Sequence, residues 1–300
     1  MAVVAVGSLA STSVANAQPI PEPVPGYNEM GPPPQGANDW NCKPSAAHPR
    51  PVVLVHGTNS SMQSAFPVLS PLLADEGYCV FALNYGGVPT VFGSPRVIWG
   101  LWDIRESARQ LGVFIDAVLA HTGARQVDIV GHSQGGTMAR QYLRFNGGAD
   151  RTDPARNKVH SLVAQGPSNH GTTFGALQEM YQVVISLGLP PDLTAQAIFG
   201  LAGRQQLVGS RLLDKLNDGG ETMPGVRYTV IASRNDSTIT PPESSFLATT
   251  GPGDVRNVWV QDGCPGIGID HSQLMTEPRP IWLVLDALDP DYGLAHPAPC

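Results

Sequence analysis

The stretch that most constrains the fold is VDIVGHSQGGT, residues 127–137. An apolar run leads into Gly-His-Ser-Gln-Gly-Gly, and the residues after Ser133 have helical spacing. A G-x-S-x-G sequence between a strand and a helix is typical of a nucleophile elbow, in which the serine stands exposed on a strained turn. Gly131 and Gly135 would let this turn close without Cβ clashes, and Gly136 would ease helix packing. This context predicts that Ser133 is a nucleophile.

The rest of the chain alternates apolar runs with helix-like stretches. The apolar runs are rich in β-branched residues and nearly continuous, as in parallel strands buried on both faces; they span 51–57, 79–86, 127–131, 159–166, 226–233 and 255–261. The candidate helices span 62–76, 103–121, 134–146 and 271–288, the last of them broken by prolines near 278–280. This alternation predicts an α/β fold with a mostly parallel, doubly wound sheet of about six strands and helices on both faces.

The N-terminal residues have the character of a secretory signal. Residues 1–17 are apolar and small, and they end in Ala-Asn-Ala, which is a typical cleavage pattern. The basic region that opens such signals is missing, and a flexible apolar N-terminus is the alternative. We expect a signal remnant over 1–17, a Pro-rich lead-in over 18–38 and a single domain over 39–300. The location that follows from this is extracellular.

One segment departs from the alternation of strands and helices. Residues 171–204 carry very few charges and include a helical apolar stripe, followed by Pro190-Pro191. The segment is either a pair of core helices or an inserted helical cap whose inner face would meet an apolar substrate.

Charge and hydropathy exclude several partner classes. The charged residues make up only 14% of the chain, the net charge is −7, and no basic run occurs, which argues against nucleic acid and anionic membranes as partners. No stretch after the N-terminus reaches the length of about 18 apolar residues that a membrane span needs. We expect a monomer that needs no cofactor.

The four cysteines indicate disulfides. Their even number, with a secretory signal, favours two bonds, although the sequence allows three connectivities. Cys42 precedes the first strand and Cys79 opens the second, so a bond between them is spatially reasonable. A bond between Cys264 and Cys300 would then pin the C-terminal tail. C-x-x-C spacing is absent, which argues against a zinc site.

A serine nucleophile needs a base to take its proton. In α/β hydrolases the chain order is serine, then acid, then histidine. His271 follows the last strand and has acid candidates between itself and Ser133, so we predict that it is the base. His170 is the main competitor because it follows a strand at the same sheet edge. It lacks an acid candidate in the required order, and we assign it a structural hydrogen-bonding role.

The acid should follow the penultimate strand, where it can reach the far nitrogen of the imidazole. Asp236 lies in a polar turn at that position and is the predicted acid. Its rivals are Asp254, which precedes the last strand at the wrong edge, Asp262, which follows the last strand, and Asp270, which is too close to His271 in sequence.

The tetrahedral intermediate of ester hydrolysis carries a negative oxygen that needs preorganised donors. One donor is the backbone N–H of Gln134, at the N-terminus of the helix that follows Ser133. The other is the backbone N–H of Thr58, in the loop after the first strand. The Thr58 hydroxyl can donate as well.

Several of these segments together resemble the secreted actinobacterial, or class 2, lipases of the α/β-hydrolase superfamily. The segments are HPRPVVLVHGT, GYCVFALNYGG, TGARQVDIVGHSQGG, PSNHGT and DHSQLMTEP, and the resemblance runs from about residue 39 to 300. It implies Ser133, Asp236 and His271 as a triad, with Thr58 and Gln134 as the oxyanion hole. It also implies the disulfides Cys42–Cys79 and Cys264–Cys300. Some related lipases hold calcium near the catalytic histidine, but no convincing ligand set is present and we predict no metal.

The predicted function is that of a secreted serine lipase or esterase acting on acylglycerols and similar esters, at an oil–water or polymer interface. A cutinase-like polyesterase and an acyltransferase on the same triad are the alternatives within this chemistry. A non-catalytic binding protein with a hydrolase fold is the alternative from another class, and it is disfavoured because all three triad residues are kept. A peptidase would use the same chemistry.

Overall fold

A computed structural model describes residues 32–89, 97–175, 186, 188 and 200–300. Six parallel strands form the main sheet, in the spatial order β2-β1-β5-β6-β7-β8. Their bounds are β1 Val52–Val55, β2 Val80–Leu83, β5 Val127–His132, β6 Val159–Gln165, β7 Arg227–Ala232 and β8 Asp254–Trp259. Two short strands, β3 Val88–Pro89 and β4 Val97–Ile98, form a separate antiparallel pair. The predicted parallel sheet of six strands is confirmed.

Helices cover both faces of the sheet, as predicted. Their bounds are α1 Met62–Ala65, α2 Leu69–Asp75, α3 Ile104–Thr122, α4 Gln134–Phe145, α5 Arg211–Asn217, α6 Pro278–Leu288 and α7 Pro290–Ala295. Alternate residues of β1 divide between two core clusters: Val53 and Val55 pack with α3 and α4, whereas Val52 and Leu54 pack with α1, α2 and α6. Successive side chains of a strand point to opposite faces of the sheet, so β1, which is covered by helices on both faces, contributes to both clusters.

Two predicted helices have different bounds in the structure. The stretch 62–76 is split because Phe66 leaves the helical region, with φ −126° and ψ 39°. Pro67 follows it, and a proline disfavours helical backbone in the residue before it. At the other end of the chain, the prolines begin a helix rather than break one, since Pro278 is the first residue of α6. A 3₁₀ turn, Gln273–Met275, precedes that helix.

Disulfides join Cys42 to Cys79 and Cys264 to Cys300, the connectivity that the resemblance implied. The N-terminal part of the described chain also covers the sheet edge. Asn38 uses its side chain to donate to and accept from the backbone of Ala82, at 2.9 and 2.8 Å. None of the helices in the described residues is long and apolar enough to cross a membrane. The predicted signal remnant, residues 1–17, and most of the predicted cap lie outside the described residues.

The strand order indicates which end of the main sheet can bind a ligand. β1 is followed in sequence by β2, which pairs with it on one side. The chain then passes over β1 to β5, which pairs with β1 on its other side and continues to β6 in the same direction. The loops after β1 and β5 therefore diverge at a switch point, where open α/β sheets bind ligands at the carboxyl ends of their strands. Thr58 follows β1 and Ser133 follows β5, so both lie at this point.

Candidate active site

Ser133 lies on a strained turn between β5 and α4. Its φ is 55° and its ψ is −127°, a conformation that is costly for any residue with a side chain. The turn can close because the glycines that flank Ser133 lie against other backbone atoms, where a side chain would not fit. A Cβ added at Gly135 would lie 2.6 Å from the carbonyl oxygen of His56, and one added at Gly131 would lie 2.7 Å from the nitrogen of Gly136. The sequence therefore folds into the elbow that the G-x-S-x-G stretch predicts.

Among the hydrogen bonds that join the chain after β7 to the chain after β8, one pairs a carboxylate with an imidazole. His271 Nδ1 lies 2.6 Å from Asp236 Oδ2. The other carboxylate oxygen of Asp236 accepts the backbone N–H groups of Thr238 and Ile239, each at 2.8 Å. Asp236 is buried, with 4% of its surface exposed. An ionised carboxylate accepts only, so Nδ1 of His271 carries the hydrogen and the ring lone pair is on Nε2.

Backbone contacts bring Ser133 and His271 to the same corner of the sheet. The N–H of Ser133 donates to the carbonyl of Gln165 at 2.8 Å. The next residue, Gly166, lies against the His271 imidazole, because an added Cβ there would be 3.1 Å from both Cε1 and Nδ1. On the other side, a Cβ at Gly57 would lie 2.9 Å from the Ser133 Cβ. Gly166 was not singled out from the sequence, since no motif marks a glycine that makes room for a ring from a loop elsewhere in the chain.

The rival residues have other partners. Asp254, Asp262 and Asp270 are exposed; Asp270 caps its own turn through the N–H of Gln273, and Asp262 lies beside Arg234. His170 pairs with Glu221, with 2.8 Å between His170 Nε2 and the carboxylate. This ion pair gives His170 the hydrogen-bonding role that its sequence position suggested.

Two further histidines near the elbow are held neutral. Burial, with the neighbouring His271 and His56, lowers the pKa of His132 to about 3. Its Nε2 lies 3.1 Å from the carbonyl oxygen of His271, so the neutral ring donates there. Burial lowers the pKa of His56 to about 4, although its bond to Gly57 acts in the other direction. With pKa values this low, both rings are weaker bases than an ordinary imidazole.

Side-chain amides connect the elbow to Thr58, in the loop after β1. Thr58 Oγ1 lies 2.9 Å from Nε2 of Gln134 and 2.9 Å from Nε2 of Gln206. The backbone N–H of Gln134 is among the first of helix α4, which have no partner inside the helix. Gln206 was not singled out from the sequence, because it lies 148 residues from Thr58 along the chain. Within the described residues, no group of three or more His, Cys, Asp or Glu side chains is arranged to hold a metal ion.

The sequence model of the lipase (class 2) family matches residues 49–264 of the chain. This is more than two thirds of its length. The chain belongs to the class 2 lipase family. Membership makes it a hydrolase of esters, a lipase or esterase. The matched range contains Thr58, Ser133 and Asp236 and ends before His271.

Solved structures of other proteins share the fold of this class 2 lipase. Aspergillus fumigatus lipase B superposes with a TM-score of 0.61 at 20% identity, over 91% of this chain and 67% of that one. The mature form of the Bacillus licheniformis lipase BlEst2 superposes with a TM-score of 0.51 at 16% identity, over 85% of this chain and 96% of that one. At these identities the likeness concerns the fold, which is that of the α/β hydrolases.

Proposed function

We propose that this class 2 lipase is a secreted serine hydrolase that cleaves acylglycerols and similar carboxylic esters through an acyl-enzyme. The observation that carries the proposal is the convergence of a serine on a strained elbow with a buried carboxylate–imidazole pair at one sheet edge. Each group alone is common in proteins. Together, in the order Ser133, Asp236 and His271, they supply a nucleophile, a base and the group that orients the base.

The proposed reaction begins when Ser133 Oγ attacks the ester carbonyl. Nε2 of His271 takes the hydroxyl proton, while Asp236 holds Nδ1 and stabilises the imidazolium that forms. The carbonyl oxygen becomes an oxyanion bound by the backbone N–H groups of Thr58 and Gln134. His271 then protonates the departing alcohol, and water cleaves the acyl-enzyme by the same steps in reverse. Apart from the ester and water, every group in these steps belongs to the chain.

Secretion is part of the proposal. Both disulfides, Cys42–Cys79 and Cys264–Cys300, favour an oxidising compartment. The apolar residues 1–17 with their Ala-Asn-Ala ending have the composition of a cleaved signal.

The experiment that tests this function is hydrolysis of p-nitrophenyl esters by the wild type and by Ser133→Ala. We expect the variant to lose activity by a factor of at least about 1,000 while its thermal unfolding stays cooperative. A series from acetate to palmitate, with and without an emulsion, then measures acyl length and separates a lipase from an esterase. Retained hydrolysis in a folded Ser133→Ala would contradict the proposal.

A further inference from the structure

Gln206 is a buried glutamine that links the loop containing Thr58 to the segment around Thr172. Only 1% of its surface is exposed. Its backbone N–H donates to the carbonyl of Gly203 at 3.1 Å, and its carbonyl accepts the N–H of Thr172 at 2.9 Å. The main chain is thus held on both sides of a side chain whose Nε2 reaches Thr58 Oγ1.

The orientation of the Gln206 amide follows from its partners. Nε2 lies 3.1 Å from the carbonyl oxygen of Ala202, which can only accept. On the other side, Oε1 lies 3.0 Å from the hydroxyl of Ser168, and Ser168 lies 3.0 Å from the hydroxyl of Thr137. A flipped amide would place two carbonyl oxygens against each other. Gln206 therefore donates to Thr58 rather than accepting from it.

The same reasoning fixes the second amide on Thr58. Nε2 of the buried Gln134 lies 2.8 Å from the carbonyl oxygen of Gly100, so this nitrogen also donates to Thr58 Oγ1. A hydroxyl has two lone pairs and one hydrogen. Since two amides occupy the lone pairs of Thr58, its hydrogen must point away from both of them and toward a third group.

We infer that Gln206 is a positioning residue, which with Gln134 fixes the Thr58 hydroxyl as a further donor to the oxyanion. This inference rests on the proposed function. Thr58 follows Gly57, where an added Cβ would lie 2.9 Å from the Ser133 Cβ, so Thr58 is one residue from the backbone that packs against the nucleophile. The two amides also polarise the hydroxyl and strengthen it as a donor. Because its direction is set in the resting enzyme, no reorientation is needed when the negative charge forms.

The test is a double-mutant cycle of Gln206→Met and Thr58→Val. Methionine fills a similar volume and donates no hydrogen bond. We expect Thr58→Val to lower kcat about 100-fold, and Gln206→Met to lower it about 3- to 30-fold with KM nearly unchanged. In the Thr58→Val background, Gln206→Met should have no further effect on kcat, because the hydroxyl that it positions is gone. Thr58→Ser keeps the hydroxyl and should restore dependence on Gln206.

Gln205→Met is the matched control. Gln205 is also a buried glutamine, but its amide contacts Asp103 and the backbone of Ile104 rather than Thr58. We expect kcat to be unchanged by this substitution in both backgrounds.

An equal fold loss from Gln206→Met with and without the Thr58 hydroxyl would overturn the inference, since it would show a structural effect only. If Gln206→Met does not fold, Ser168→Ala replaces it: this variant frees Oε1 of Gln206, and its smaller loss must likewise vanish in Thr58→Val. Failure of the proposed function has a separate signature, namely a wild type without ester hydrolysis or an active Ser133→Ala. An active wild type whose Gln206→Met and Thr58→Val effects multiply would overturn this inference alone.

Discussion

The Asp236 carboxylate holds Nδ1 of His271 at 2.6 Å, and its second oxygen is held by two backbone N–H groups. The backbone therefore orients the carboxylate, and the carboxylate in turn orients the imidazole. This arrangement gives His271 a single tautomer, with the ring lone pair on Nε2, as the proposed mechanism requires.

Asp236→Asn should reduce kcat by about 1,000- to 10,000-fold, because an amide at this position favours the wrong tautomer of the imidazole. Steady-state hydrolysis of a p-nitrophenyl ester measures the loss. Asp254→Asn is the control, since this exposed carboxylate at the start of β8 was a rival for the same role. A loss from Asp254→Asn as large as that from Asp236→Asn would contradict the assignment.

Gly135→Ala should destabilise the protein by about 1–3 kcal/mol, the usual range for overpacking. An added methyl group would meet the carbonyl oxygens of Val55 and His56, which belong to the backbone and cannot move aside easily. Urea unfolding measures the change. Gly268→Ala is the matched control, because an added Cβ there has no neighbour within 4 Å among the described residues and φ is not positive. Equal stability of the two variants would show that the elbow tolerates a larger residue.

His170→Gln should cost more unfolding free energy at low pH than at high pH. The hydrogen bond that His170 donates to the Glu221 carboxylate raises the pKa of His170 despite its partial burial. A raised folded-state pKa stabilises the protein below the unfolded value of about 6.5, and this contribution is lost as the pH rises through the folded value.

The titration of Glu221 sets the lower end of the pH range in which the ion pair with His170 exists. Burial acts to raise the pKa of Glu221, but the hydrogen bonds from His170 and from the Ala248 N–H lower it overall. Denaturation at about pH 5.5 and about pH 8.5 should therefore show the larger deficit for His170→Gln at about pH 5.5. His296→Gln is the control, because His296 contacts a backbone carbonyl instead of a carboxylate. A deficit that is the same at both pH values would rule out the ion pair as its source.

The main sheet and the residues that meet at its carboxyl edge could be predicted from the sequence. The six buried strands are almost continuously apolar, and the order of Ser133, Asp236 and His271 follows the order of strands. Local rules explain the errors at helix ends, since a proline can split a stretch at Phe66 or begin a helix at Pro278.

The amide network could not be predicted in the same way. Gln206 contacts Thr58 although the two lie 148 residues apart along the chain. Nothing in the sequence distinguishes a buried glutamine that donates to a hydroxyl from a glutamine on the surface. The short pair of strands β3 and β4 was also missed, because two-residue strands carry no periodicity. The predicted cap over 171–204 stays a prediction.

The most direct test of the central claim is mass spectrometry of the protein after phosphonylation of its nucleophile. The wild type, His271→Ala and Ser133→Ala would be treated with a fluorophosphonate, and the modified peptide would be sequenced. We expect one adduct per wild-type chain, located on Ser133, with a rate that falls by at least about 100-fold in His271→Ala and with no adduct in Ser133→Ala. An adduct on another residue, or equal labelling of folded Ser133→Ala, would contradict the assignment of Ser133 as the nucleophile.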